Sequence, residues 1–114
     1  MDCLFCSIVS GEIPSKKLYE DEKCVAFYDI DPKAPTHFLV IPKAHIKSVS
    51  DVTSADREMT VGHIMNVIAK LTAQLGLDKE GYRVVSNVGD AAGQTVHHLH
   101  FHVLGGRLLS WPPG

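Results

Sequence analysis

The sequence has no apolar run approaching the ~20 residues that a membrane-spanning helix needs, so no membrane partner is expected. It also lacks an excess of charge of either sign. Eleven Lys and Arg against 13 Asp and Glu leave a formal charge of −2, which offers no electrostatic footing for a nucleic-acid partner or an anionic membrane. Cysteine is scarce: three residues, an odd number, do not make a disulfide framework, and a reducing, cytoplasmic setting is expected. The start, Met1-Asp2-Cys3, has neither a basic n-region nor an apolar h-region, so no secretory leader is expected. No internal repeat, low-complexity tract or linker interrupts the 114 residues. Residues 1–114 are therefore expected to form one domain, small but long enough for a core.

What the chain does have is histidine, concentrated in His97-His98-Leu99-His100-Phe101-His102. In an extended strand side chains alternate, so His98, His100 and His102 share one face while Leu99, Phe101 and Val103 share the other and can pack on a core. Imidazole ionises nearest neutrality and serves as nucleophile, proton shuttle or metal ligand. Three rings in a row are costly if idle, because each charged ring disfavours charging its neighbours. The apolar alternation argues against a mere histidine tract. His97 falls on the opposite side and reads as structural. His37, at the start of an apolar strand, and His63, within a helix, carry no functional signal.

The remaining elements follow from periodicity and punctuation. Residues 3–10 read as a short helix stopped by Gly11. Lys17–Glu20 and 24–29 read as strands joined by the turn Asp21-Glu22-Lys23, with Cys24 a small buried apolar residue. Thr36 to Ile41 is a strand too apolar for a one-sided surface position. Thr53 is expected to open a long helix, with Asp56 completing a capping box. Met59, Ile64, Val67, Ile68 and Leu71 form its apolar stripe, and Gly76 closes it. Tyr82 to Asn87 and Val96 to Leu104 are the last two strands. The mixture predicts an α+β fold.

His98-Leu99-His100-Phe101-His102-Val103-Leu104 resembles the signature of the histidine triad (HIT) superfamily, three histidines alternating with apolar residues. The lead-in Gly93-Gln94-Thr95-Val96, the follow-on Gly105-Gly106-Arg107 and the tail Trp111-Pro112-Pro113-Gly114 resemble its histidine triad nucleotide-binding (Hint) branch. Tyr28-Asp29-Ile30 and the segment Ala34-Pro35-Thr36-His37-Phe38-Leu39-Val40-Ile41-Pro42-Lys43 match as well, so the resemblance spans nearly the whole chain. It implies a five-stranded antiparallel sheet with one long helix and a short N-terminal helix. It also implies a homodimer that continues the sheet, with Met59 to Leu71 and the edge Tyr82 to Asn87 as interface candidates.

A neutral imidazole attacks phosphorus without first losing a proton, and its neighbours can hold phosphate oxygens or protonate a leaving group. Spacing does not say which histidine attacks. The resemblance assigns that role to His100 and places His102 on the phosphate and leaving-group side. It implies hydrolysis of purine nucleoside 5′-monophosphoramidates and related acyl-nucleotides through a nucleotidyl-His100 intermediate. The alternatives are a dinucleoside polyphosphate hydrolase, or a nucleotide-binding scaffold with vestigial activity. Gly93, Gln94, Thr95 and Val96 fit a phosphate or ribose contact, although alone they read as a loop entering a strand. Asp29 resembles the family's ribose-binding acid, its other reading being a turn residue before Asp31-Pro32. Asn87 resembles a contact near the ribose and phosphate. Leu4, Phe5, Phe27 and Ile30 could wall a purine slot.

Cys3-x-x-Cys6 alone is ambiguous between zinc, redox chemistry and chance. No strand precedes it as in a thioredoxin-like unit. A tetrahedral zinc site needs two further ligands, for which His45 and His98 are the candidates. Several bacterial-type triad proteins carry such a Cys2His2 set, whereas animal Hint proteins lack the cysteines. With His98 on zinc, catalysis would rest on His100 and His102. No organic cofactor is expected.

Overall fold

The structure, a computed structural model, describes residues 3–114. Met1 and Asp2, on which the expectation of no leader partly rests, lie outside the described residues. Helix α1 (Leu4–Ser10) comes first and ends as expected at Gly11, which takes φ 85° and donates its N–H to the Ile8 carbonyl. That left-handed backbone carries no Cβ penalty in glycine. Strands β1 (Lys17–Glu20), β2 (Cys24–Tyr28) and β3 (Thr36–Pro42) follow. Helix α2 (Ala55–Gln74), β4 (Tyr82–Val85) and β5 (Phe101–Gly105) complete the fold. The strands form one antiparallel sheet in the order β1-β2-β3-β5-β4, leaving β1 and β4 at the edges. The α+β class and the five-stranded sheet with one long and one short helix are as expected.

Alternation along the inner strands splits them between two cores. Cys24, Ala26, Phe38, Val40, Phe101 and Val103 face α2 and pack with its Ile64, Val67, Ile68 and Leu71. Val25, Phe27, Leu39 and Ile41 face the other way, onto Phe5 and Ile8 of α1. The unbroken apolar run of β3 is thus explained: both of its faces are covered. Phe38 has no exposed surface, and cutting such a side chain to alanine costs about 3–5 kcal/mol. Cys24 is fully buried, as expected.

Helix α2 departs from expectation at its start. Its cap is Ser54, whose hydroxyl accepts the Arg57 N–H at 3.2 Å, not Thr53. Arg57 therefore holds the position a capping box reserves for an acid, and Asp56 sits one residue too early. Met59 also leaves the apolar stripe and is 65% exposed; at 100° per residue it lies about 140° from Ile64 and about 180° from Ile68. Gly76 closes the helix as expected. Its N–H donates to Ala73 and that of Leu77 to Thr72, which turns the chain and drops Leu77 into the core.

The last two strands are shorter than the sequence suggests. Strand β4 ends at Val85 rather than Asn87, and β5 begins at Phe101 rather than Val96. The backbone groups that would have extended the ladder are engaged elsewhere. Ser86 donates its hydroxyl to the His100 carbonyl at 2.9 Å, the His98 carbonyl accepts the His100 ring N–H at 2.7 Å, and Leu99 N–H donates to the Ile46 carbonyl at 2.6 Å. Side-chain and loop partners displace the sheet there. Leu99, Phe101 and Val103 nevertheless all enter the α2-side core. Among the described residues no helix is long and apolar enough to cross a membrane.

Candidate functional site

A cavity of about 400 Å³ opens between α1 and the α1-side face of the sheet. Of the residues singled out as nucleotide contacts, Leu4, Phe5, Phe27, Asp29, Ile30, Asn87, Gly93, Thr95, Val96, His100 and His102 all line it. Ile8, Leu39 and Tyr28 join them. One side is apolar, built around Phe5, whose ring meets Phe27 edge-on at 5.6 Å and His100 at 5.0 Å. The other side carries a carboxylate, an amide, a hydroxyl and two imidazoles. Ile30 is fully exposed at the margin.

Gln94 is the exception. Its side chain is buried on the far side of the same loop, where Oε1 accepts the Gly89 N–H and Nε2 donates to the carbonyls of Lys47 and Val96. It braces the loop, and Gly93, at φ 80°, makes the turn. His97 is exposed at the rim of a separate polar cleft that Gln94 also lines.

The two cavity imidazoles are held in opposite states. His100 Nδ1 lies 2.7 Å from the His98 carbonyl oxygen. A carbonyl only accepts, so Nδ1 carries a proton, and in the neutral ring Nε2 presents a lone pair. For His102 the argument passes through His37. Lys33 N–H donates to His37 Nδ1 at 3.0 Å, so the neutral His37 ring holds its proton on Nε2. That nitrogen lies 2.9 Å from His102 Nδ1 and donates to it, leaving the His102 proton on Nε2. The Lys33 loop is itself clamped by Arg107, which donates to the Lys33 carbonyl at 2.8 Å. Burial, then the nearby His100 and His37 rings, press the His102 pKa down to about 4. Burial likewise lowers His37, against the opposing pull of Asp29.

Asp29 Oδ2 stands 3.4 Å from His37 Nε2, and Oδ1 accepts the Asp31 N–H at 2.8 Å. The sequence reading missed His37. The available signal was its two-residue spacing from Leu39, but only the β3–β5 register, which sets Leu39 against His102, turns that into proximity. His63 also has a partner, unforeseen: its Nε2 lies 2.6 Å from Asp21 Oδ2, which Tyr19 also donates to at 2.8 Å. These contacts tie α2 to the β1–β2 turn.

A second cluster adjoins the cavity. Ligand atoms of Cys3, Cys6, His45 and His98 all lie within 4.8 Å of one another and could hold a metal ion. Cys3 Sγ is 3.4 Å from His98 Nδ1, and Cys6 Sγ is 3.3 Å from His45 Nδ1 and 3.6 Å from His98 Nδ1. His98 is fully buried, and burial lowers its pKa. Its Nε2 donates to the Pro42 carbonyl at 2.8 Å, which points a bare Nδ1 at both sulfurs. The sequence brought the same four residues together.

The HIT domain family model matches residues 10–109, and the chain belongs to that family. Among similar proteins is an uncharacterized HIT-like protein of Synechococcus elongatus, 50% identical over 113 residues that cover 99% of this chain and 97% of that one. A HIT family hydrolase of Legionella pneumophila superposes with a TM-score of 0.95 at 47% identity, covering 99% of this chain and 100% of that chain. A histidine triad nucleotide-binding protein of Candida albicans does so with a TM-score of 0.83 at 38% identity, covering 97% and 83%.

Proposed function

We propose that this protein is a purine nucleoside 5′-monophosphoramidate hydrolase of the nucleotide-binding branch, working through a nucleotidyl-His100 intermediate. The observation that carries the reading is the pair of imidazoles in one cavity, with a bare Nε2 on His100 and a protonated Nε2 on His102. One is set up to attack and the other to donate. His100 Nε2 attacks phosphorus as the P–N bond breaks, and the departing nitrogen, hydrogen-bonded by His102 Nε2–H, leaves as the amine by taking a proton from solvent. Water then attacks nucleotidyl-His100 and releases one proton to solvent, and His100 leaves with its lone pair restored. The apolar wall at Phe5 and Phe27 suits a purine, Asp29 can accept from ribose hydroxyls, and Asn87 and Thr95, which line the same cavity with Gly93, can hydrogen-bond phosphate oxygens. The description of the Candida albicans protein as nucleotide-binding supports the same reading.

Zinc is the metal that best suits the adjoining cluster. A tetrahedral zinc with bonds of about 2.3 Å to sulfur and about 2.0 Å to nitrogen has sulfur–nitrogen edges near 3.5 Å. The separations of 3.3, 3.4 and 3.6 Å bracket that length. Cys3, Cys6, His45 and His98 would take all four positions, so zinc there cross-links the chain. A homodimer through β4 and α2, and a cytoplasmic setting, complete the reading.

Turnover of adenosine 5′-phosphoramidate by native protein and by His100→Ala tests the proposal, with rapid quench and mass spectrometry for nucleotidyl-protein. Native protein should release AMP and accumulate adduct, and the variant should lose several orders of magnitude in rate. Binding of AMP without turnover would favour a scaffold. Turnover of diadenosine polyphosphates alone would favour the polyphosphate branch.

A further inference from the structure

Three of the four cluster residues connect directly to parts that shape the cavity. Cys3 caps α1, accepting the Cys6 N–H, and the residues after it, Leu4, Phe5 and Ile8, form the apolar wall. His98 aims its ring at the sulfurs while its own carbonyl fixes the His100 proton. His45 precedes Ile46, whose carbonyl holds Leu99 N–H between those two histidines. Phe5 meets both rings edge-on, His98 at 5.9 Å and His100 at 5.0 Å. A seven-residue helix is far too short to hold itself in water. Its position therefore depends on Phe5, Ile8 and the sulfur contacts.

We propose that Cys3 and Cys6 are a thiol oxidation site through which a peroxide weakens nucleotide binding. The inference rests on the nucleotide reading above. Cys6 meets the exposed His45 at the outer side of the cluster, where a small oxidant can reach it. A Cys6 thiolate attacks one peroxide oxygen, the O–O bond breaks, and a sulfenic acid forms while the departing hydroxide or alkoxide takes a proton from solvent. The Cys3 thiolate then attacks that sulfur; the S–O bond breaks, hydroxide leaves and takes a proton from solvent, and the disulfide forms. Two electrons pass from the sulfurs to the peroxide, and any metal on the cluster departs as a cation. Both sulfurs are then withdrawn from His45 and His98, and α1 and the His98 carbonyl lose their common anchor. Cys24 takes no part, because it is fully buried out of reach of an oxidant.

The test follows AMP affinity by calorimetry in the reduced, zinc-loaded protein, after hydrogen peroxide, and after dithiothreitol with added zinc. A chromogenic chelator follows metal release, and peptide mapping locates the disulfide. Oxidation should lower affinity about tenfold, within the usual range for coupled sites. Reduction with zinc should restore it, and Cys24→Ala should behave as native. Cys3→Ser/Cys6→Ser should be unresponsive to peroxide. Should that variant fail to fold, the native cycle decides alone. Equal AMP affinity in reduced and oxidised protein overturns the coupling and leaves the functional reading standing. A loss that dithiothreitol does not reverse, or a disulfide absent from the map, also overturns it. Failure of the reduced, zinc-loaded protein to bind AMP overturns the functional reading and the coupling together.

Discussion

His37 Nε2 lies 2.9 Å from His102 Nδ1, and the other His37 nitrogen accepts a backbone N–H from Lys33. A main-chain amide thus determines, through two rings, which His102 nitrogen carries the proton facing the cavity. His37→Ala should remove that control. Its kcat should fall about 10²-fold on phosphoramidates of alkyl amines, which need a proton to leave, with KM little changed. On aryl amines, which leave readily, the loss should be small. His37→Gln, which keeps an N–H in reach of His102, should recover part of the rate. Equal losses on both substrate classes would show a merely structural role.

Acid should destabilise the fold through His102. Its pKa is near 6.5 when unfolded and about 4 when folded, so between those values the unfolded chain binds more protons. Stability is therefore full above about pH 6.5, falls as pH drops, and levels off below about pH 4. With solvent screening allowed for, the contribution is on the order of 1–2 kcal/mol. Urea midpoints across this window, compared between native protein and His102→Gln, should show a shallower slope in the variant. Parallel slopes would contradict the assignment.

About one zinc per chain should be present in reduced protein purified without added metal. Elemental analysis measures it, and near-zero content in both native and zinc-reconstituted samples would reject the site. Stripping the metal with a chelator should lower Tm by about 4 °C for each ~1 kcal/mol of binding energy lost.

Strand β4 is an open edge whose Tyr82 and Val84 are 37% and 39% exposed. Met59 and Met65 of α2 are exposed as well. Light scattering at micromolar concentration should give about twice 12.5 kDa. Val84→Lys, which places a charge on that edge, should shift the mass toward the monomer. A native mass of 12.5 kDa would reject the dimer.

The parts of the molecule legible in its sequence are those set by alternation. His98, His100 and His102 turn away from the core that takes Leu99, Phe101 and Val103, and this survives even though β5 starts only at Phe101. Alternation also explains why the early strand start was wrong: side-chain order persists where the ladder does not. Cys3, Cys6, His45 and His98 were readable because metal chemistry demands few residue types. What stayed hidden depends on tertiary register. His37 looks like any residue opening an apolar strand until β3 lies beside β5. Gln94 has the composition of a ligand contact, yet its amide is consumed by three backbone groups. Likewise Thr53 reads as the cap of α2 until the fold brings the Arg57 N–H to Ser54 instead.

The contact between Cys3 and His98 joins residues 95 positions apart. A chain leaving the ribosome therefore exposes Phe5 and Ile8 long before the histidines that complete their pocket have been made. Until then these side chains are sticky surface without chemistry. The histidines and the finished pocket around them appear together, late in synthesis, so a prematurely terminated product carries an aggregation hazard and no formed site.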